Sequence, residues 1–228
     1  DDSSVWAPIV KEIYQKTGAT LITYDRAGLG NSEIDTLTVT FQKEIEHLKL
    51  ALETLAPFEN YFLVAHSFGG FYASEFANLK NTVITGAVFI DVATPCMFTE
   101  LWSFAYRSTL PKAAWNMLKQ KKTGLYHVLQ NLPEISRYMA NRYISPSIPL
   151  TLVVAEQIPG KNTLKTVQER KQWIKCLEEF GQASNRNYVL AKSASHKVWQ
   201  ERPDLVVREI VALYKKTTPS LNNQQAKD

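Results

Sequence analysis

The chain has 228 residues, 45% of them hydrophobic, which suffices for one large α/β domain or two small domains with a substantial core. Its formal net charge of +4 is small and its lysines are scattered, so the composition does not support a nucleic-acid partner. No apolar run approaches the roughly 18 residues of a membrane span, and no signal peptide opens the sequence. We therefore predict a cytoplasmic protein.

Two cysteines, Cys96 and Cys176, are too few for a disulfide framework and lack the spacing of metal ligands. We predict that both are buried free thiols. The sequence implies no metal and no cofactor.

The first predicted elements in chain order are a helix over residues 5–13, closed by Gly18, and a strand over the β-branched run 19–24. A loop with two glycines follows at 25–32. It is weak evidence for nucleotide binding, because no third glycine follows and no helix begins directly. Apolar spacing then predicts a long helix over 38–55.

The stretch 61–72 joins a short apolar run, typical of a buried parallel strand, to a pattern with helical spacing. A strand that becomes a helix within about five residues holds its apex residue, here Ser67, in a strained conformation with the side chain exposed. This is the G-x-S-x-G elbow with Ala65 in place of the first glycine. A serine helix cap before a glycine-rich turn is the alternative interpretation.

Residues 83–90 form another predicted buried strand, which ends at Asp91. The alternation of strands and helices predicts an α/β fold with a mostly parallel sheet and helices on both faces. The alternation stops over 96–148, a segment rich in aromatic residues and prolines without a convincing strand, which we interpret as a helical insertion.

The alternation resumes after the insertion. The predicted elements are a strand at 150–155, a helix at 163–180, a strand at 187–191 and a last helix at 203–216. His196 lies between the last two, and the polar tail 217–228 is predicted to be disordered.

Four motifs together make the chain resemble a lid-bearing α/β-hydrolase: Asp25-Arg-Ala-Gly-Leu-Gly-Asn-Ser32, Ala65-His-Ser-Phe-Gly69, Phe89-Ile-Asp-Val-Ala-Thr-Pro95, and Ser195-His196 with Arg202-Pro-Asp204. The resemblance implies a core formed by 1–95 and 149–216, with the insertion 96–148 as a lid over the active site. It also implies that the opening strands of the fold lie upstream of Asp1.

A serine hydroxyl becomes a good nucleophile only when a neighbouring base removes its proton during attack. Ser67 is the candidate nucleophile and His196 the candidate base, since both follow strands at the carboxyl edge of the sheet. The alternative for His196 is a structural role. Of the other histidines, His47 is predicted to lie mid-helix, His66 to support the elbow, and His127 to belong to the insertion.

An oxyanion formed by attack on a carbonyl needs two hydrogen-bond donors. The backbone N–H of Phe68, at a helix N-terminus, is the first candidate. The second is expected upstream of Asp1, or from the first residues of the chain.

The acid of the triad is open between two carboxylates. The family places an aspartate where this chain has Ile158, so Asp91 is the first choice and Glu156 the second. Asp91 stands at the end of a rigid central strand, although an aspartate there can also serve only as a loop cap.

We predict a serine hydrolase, similar to carboxylic ester hydrolases, that cleaves an ester, thioester or amide of a small, largely apolar substrate. Trp102 and Trp115 are predicted to line the pocket for that substrate. Ser67 argues against epoxide hydrolases and haloalkane dehalogenases, which need an aspartate nucleophile. The alternative is a catalytically silent binding protein on the same fold, and the oligomeric state is open.

Overall fold

A four-stranded parallel sheet lies at the centre of the protein, whose computed structural model describes residues 2–157 and 164–218. The strands are β1 (Tyr61–His66), β2 (Ile84–Ile90), β3 (Leu150–Ala155) and β4 (Arg186–Ala191). They lie side by side in chain order, and each neighbouring pair is parallel. The predicted parallel α/β architecture is therefore confirmed.

Helices precede, connect and follow these strands. After a short 3₁₀ turn at Ser3–Trp6 they are α1 (Ala7–Thr17), α2 (Phe41–Leu55), α3 (Gly69–Asn78), α4 (Glu100–Thr109), α5 (Lys112–Lys121), α6 (Thr123–Gln130), α7 (Leu132–Met139), α8 (Leu164–Gly181), α9 (Val198–Glu201) and α10 (Pro203–Thr217). Within the described ranges, every helix is too short or too polar to span a membrane.

The alternation of side chains along β2 shows how the helices cover both faces of the sheet. Val88 and Ile90 pack into a cluster with residues of α1 and α10. Ala87 and Phe89 point to the opposite face and pack in a cluster that includes Leu177 of α8. Because all four strands are parallel, their carboxyl ends meet at one edge of the sheet, where the candidate site lies.

The prediction of a strand over 19–24 is wrong, because these residues form no strand in the structure. A strand is stabilised by backbone hydrogen bonds to a neighbour. In the described chain none of the four strands pairs with this segment. Its apolar side chains are also poorly covered, with Ile22 42% and Tyr24 39% exposed. The β-branched composition alone does not supply the missing neighbour.

The insertion 96–148 contains the four helices α4 to α7, and α4 packs against α7. A close backbone contact joins the insertion to the glycine loop at 25–32: the Gly124 N–H donates to the Gly28 carbonyl over 3.0 Å. A Cβ on Gly28 would stand 2.5 Å from the Gly124 nitrogen, so this contact requires a glycine.

The prediction of two free thiols is wrong. Cys96, at the start of the insertion, forms a disulfide with Cys176 of α8, and their Cα atoms lie 5.6 Å apart. The two residues are separated by 80 positions, so only the packing of α8 against the loop after β2 brings them together.

Candidate active site

Ser67 follows β1 directly and precedes α3, with a φ of 55° in the left-handed region. Backbone hydrogen bonds hold it there: its N–H donates to the Ile90 carbonyl (3.1 Å), and its carbonyl accepts from the Ala93 N–H (2.9 Å). The turn also has room for Ala65, whose Cβ lies 3.7 Å from where a Cβ on Gly69 would stand. The sharp strand-to-helix turn therefore forms although alanine replaces the first glycine of the motif.

The structure brings Ser67, His196 and Asp91 together in one hydrogen-bonded chain. His196 Nε2 lies 2.9 Å from Ser67 Oγ, and His196 Nδ1 lies 2.7 Å from Asp91 Oδ2. A carboxylate only accepts hydrogen bonds, so Nδ1 carries the proton and Nε2 accepts from the serine hydroxyl. This is the arrangement in which an imidazole can take a proton from a serine.

Asp91 is fully buried at the end of β2, with a φ of 43°. Its N–H donates to the Val153 carbonyl over 2.7 Å, which anchors the residue to the end of β3. Burial would raise the pKa of Asp91, but the hydrogen bond with His196 and the neighbouring positive charge of Arg170 outweigh it and lower the pKa below its usual value. The carboxylate is therefore ionised at neutral pH.

Two residues of α8 that the sequence analysis did not identify also contact this carboxylate. Arg170 Nη1 lies 3.1 Å from both carboxylate oxygens, and the indole N–H of Trp173 donates to Oδ1 over 3.3 Å. Their three-residue spacing puts them on one side of the helix. That spacing was the available signal, but it does not reveal which strand end the helix faces.

Glu156, the second-choice acid, lies elsewhere. Its exposed side chain accepts a hydrogen bond from the Ser193 N–H over 2.8 Å, in the loop that leads to His196. It supports this loop at Ser193, which has a φ of 60°, and among the described residues no hydrogen bond joins its carboxylate to the imidazole ring. Ile158, which stands where the family has its aspartate, lies outside the described residues.

His66 supports the loop of His196 from the other side of the elbow. Its Nε2–H donates to the His196 carbonyl over 2.8 Å, and its ring centroid lies 4.1 Å from that of Trp199. Burial, reinforced by the nearby His196, lowers the pKa of His66 to about 3. This histidine is therefore neutral over the working pH range. The remaining histidines lie on α2 (His47) and α6 (His127).

Replacing His66 with glutamine should make the stability of the protein less sensitive to acid. The pKa of His66 is lowered from 6.5 to about 3 in the folded state, so between these values the unfolded chain binds a proton that the folded protein does not. Stability consequently falls as the pH drops from 6.5 towards 4, by up to about 1.4 kcal/mol per pH unit for one such group.

Urea unfolding at several pH values measures this slope. The His66→Gln variant should show a shallower loss of unfolding free energy than the wild type. A His47→Gln variant, changed at an exposed position on α2, should keep the wild-type slope. Equal slopes for His66→Gln and wild type would contradict the prediction.

A row of aromatic rings leads from the elbow into the insertion. Phe98 lies between Phe68 (centroids 6.0 Å apart) and Trp102 (4.7 Å), and it also contacts Trp173, whose ring meets that of His196 edge-on at 5.9 Å. Trp102 also borders an open cleft of about 430 Å³ between α4 and α8. The ring of Trp115 instead packs against Tyr126, at 5.7 Å, so no comparable ring contact joins it to this row among the described residues.

The N–H of Phe68 stands at the start of α3, where a helix leaves its first amides without an intrahelical acceptor and carries a partial positive charge. The first residues of the chain contact the segment that follows His196, where the Trp199 indole N–H donates to the Val5 carbonyl over 3.0 Å. A second oxyanion donor from this direction stays a prediction.

Comparison with known protein sequences identifies a family and a bacterial relative. A family model described as the alpha/beta hydrolase family matches residues 1–209. The uncharacterized protein YqjL of Bacillus subtilis (strain 168) is 25% identical over 207 residues, covering 90% of this chain and 76% of that protein.

Solved structures match at lower identity. Tomato methylketone synthase I complexed with 2-tridecanone has a TM-score of 0.62 and 15% identity, with 95% of each chain covered. A thermophilic esterase from Thermogutta terrifontis has a TM-score of 0.59 and 16% identity, covering 96% of this chain and 87% of the esterase. These structural likenesses show a shared fold.

Proposed function

The chain belongs to the alpha/beta hydrolase family, and from that premise we propose that it is a serine hydrolase acting on an ester, thioester or amide of a small, largely apolar compound. The observation that carries the proposal is the hydrogen-bonded chain from Ser67 Oγ through His196 to Asp91, with distances of 2.9 Å and 2.7 Å. Of the three bond types, we favour an ester, which would make the protein a carboxylic ester hydrolase.

The reaction begins when Ser67 Oγ attacks the substrate carbonyl and its proton passes to His196 Nε2. Asp91 stabilises the imidazolium that forms, and the Phe68 N–H donates to the oxyanion. His196 then protonates the leaving group, which departs and leaves an acyl group on Ser67. A water that gives its proton to His196 hydrolyses this acyl-enzyme, and the acid product and free serine are released.

The row of aromatic rings beside the site supports an apolar substrate, because apolar pockets bury most of a ligand's surface. Trp102 belongs to this row and borders the cleft between α4 and α8, and Trp115 does not join it. We therefore assign the acyl side of the substrate to the part of the insertion that carries Trp102, with the insertion acting as a lid.

A Trp102→Ala variant should change the preference for acyl chain length by about tenfold or more between short and long esters, since the half-buried ring of Trp102 offers a long acyl chain a few kcal/mol of contact. Its labelling rate with a small fluorophosphonate should change less. Trp115→Ala is the matched control, because its ring contacts Tyr126 and lies outside the row. An unchanged preference in Trp102→Ala across p-nitrophenyl esters of increasing length would contradict a role in binding.

Labelling with a fluorophosphonate tests the proposed function itself, because this probe reacts covalently with an activated serine. The wild-type protein should be labelled on Ser67, identified by mass spectrometry of the labelled peptide. The alternative is a catalytically silent binding protein on the same fold. It is suggested by Ile158, which stands where the family has its aspartate and lies outside the described residues. Such a protein would show no labelling and no ester turnover.

The disulfide bears on the compartment. Structural disulfides persist mainly in oxidising environments and are rare in the cytosol of most organisms. The Cys96–Cys176 bond therefore weighs against the cytoplasmic location predicted from the sequence.

A further inference from the structure

The proposed mechanism gives no role to Arg170, a buried charged residue of α8. Arg170 is 6% exposed and pairs with Asp91, which is fully buried. Burying a charged side chain is costly unless it is paired and hydrogen-bonded. The histidine already serves as a hydrogen-bond partner of this carboxylate, so the arginine is an additional, charged partner directly behind the proposed triad.

The contacts of Arg170 fix the orientation of the carboxylate. Its Nη1 lies 3.1 Å from both oxygens of Asp91, Nη2 lies 3.1 Å from Oδ1, and Nη2 also donates to the Ala155 carbonyl at the end of β3. The Ala155 N–H donates to Oδ1 over 3.2 Å. Oδ1 is thus held towards β3 and α8, which leaves Oδ2 facing His196 Nδ1 at 2.7 Å.

The helix that carries Arg170 is also covalently linked to the segment that follows β2 and begins with Asp91. Cys176, on the same helix, forms the disulfide with Cys96, which follows Asp91 by only five positions. The ion pair and the disulfide therefore join the same two segments of the chain. This double connection limits how far the guanidinium can move away from the carboxylate.

We infer that Arg170 is a positioning residue of the proposed serine hydrolase, which holds Asp91 in register with His196 and sets the lower pH limit of activity. The inference rests on the proposed function. The positive charge of Arg170 disfavours addition of a proton to the coupled Asp91–His196 pair. Without that charge the pair should bind a proton at higher pH, and the protonated pair cannot act as a base.

Other titratable groups around the pair do not substitute for Arg170. His66 on β1 is neutral, because its pKa is lowered to about 3. Tyr188 on β4 has its pKa raised, first by burial, and so stays uncharged at neutral pH. Lys197, the next residue after His196, is exposed to solvent, where its charge is screened.

The test compares pH profiles of kcat/KM for an activated ester in the wild type and in Arg170→Gln and Arg170→Lys. For Arg170→Gln we expect the midpoint of the acid limb to rise by about one pH unit, with kcat at its optimum lowered about tenfold or more and KM little changed. Arg170→Lys keeps the charge but loses the planar fork. It should keep the wild-type midpoint while kcat falls.

Arg186→Gln is the matched control. Arg186 is a partly buried arginine whose guanidinium stacks on Phe180 and donates to the carbonyls of Phe180 and Ile144. Its loss should lower thermal stability and leave the pH profile unmoved. A wild-type midpoint in folded Arg170→Gln would overturn the inference. If Arg170→Gln does not fold, the Arg170→Lys variant tests the inference instead. A kcat of Arg170→Lys equal to that of the wild type would then overturn the inference.

A second readout separates this inference from the proposed function. Nuclear magnetic resonance of the His196 ring in ¹⁵N-labelled protein follows its protonation without turnover. If the wild type is not labelled by a fluorophosphonate, the proposed function fails, while the ring titration still reports on Arg170. A midpoint that is the same in wild type and Arg170→Gln would then refute the electrostatic role.

Discussion

Replacing Ser67 with alanine should abolish ester hydrolysis while the protein keeps its fold. The substitution removes one oxygen, the atom that lies 2.9 Å from His196 Nε2, and leaves the backbone hydrogen bonds of the turn in place. Loss of the nucleophile of a serine hydrolase lowers kcat by about 10⁶. Steady-state assays with an activated ester, together with a thermal melt, measure both parts of this expectation.

A second serine provides the control. Ser74 is fully buried on α3, the helix that follows the elbow, and its hydroxyl has no hydrogen-bond partner among the described residues. Ser74→Ala removes the same kind of atom, a serine hydroxyl oxygen, seven positions further along the chain and should leave turnover near the wild-type value. If Ser67→Ala retained more than a few per cent of wild-type turnover, Ser67 would not be the nucleophile.

Replacing Asp91 with asparagine should lower kcat by about 10⁴, the loss seen when a triad carboxylate is neutralised. The amide no longer selects the imidazole tautomer in which Nε2 accepts from Ser67, nor does it stabilise the imidazolium. Asparagine is also the substitution best suited to the backbone, because Asp91 has a φ of 43°, a conformation that asparagine adopts more readily than most residues.

The matched variant is Glu156→Gln, which makes the same chemical change at the second-choice acid. Its carboxylate accepts from the Ser193 N–H, and a glutamine oxygen can do the same, so turnover should fall by less than about tenfold. Kinetics of both variants decide the assignment. If Glu156→Gln lost most of its turnover while Asp91→Asn kept it, Glu156 would be the acid and Asp91 only a cap at the end of its strand.

The candidate site could be anticipated largely from sequence because its parts depend on local patterns. The elbow is encoded within a few residues around Ser67, and the alternation of strands and helices puts Asp91 and His196 at the same edge of a parallel sheet. The choice of Asp91 over Glu156 followed from the rigidity of a central strand end. The structure brings Asp91, rather than Glu156, to His196.

The features that sequence reasoning missed depend on contacts between distant segments. The run 19–24 has the composition of a strand, but pairing requires a neighbouring strand that composition does not reveal. In the sequence, Arg170 cannot be distinguished from the other charged residues of a helix surface. Its contact with Asp91 depends on the packing of α8 against the ends of β2 and β3. The link between Cys96 and Cys176 likewise appears only after that packing.

The disulfide closes a covalent ring in the chain, and this ring contains the whole remainder of the insertion, β3 and α8 as far as residue 176. A protease that cuts one peptide bond between Cys96 and Cys176 therefore does not release a fragment. The two pieces stay joined through sulfur until a reductant separates them. Arg170 lies inside the ring and Asp91 just outside it, so such a nick leaves both halves of the ion pair in one covalently connected molecule.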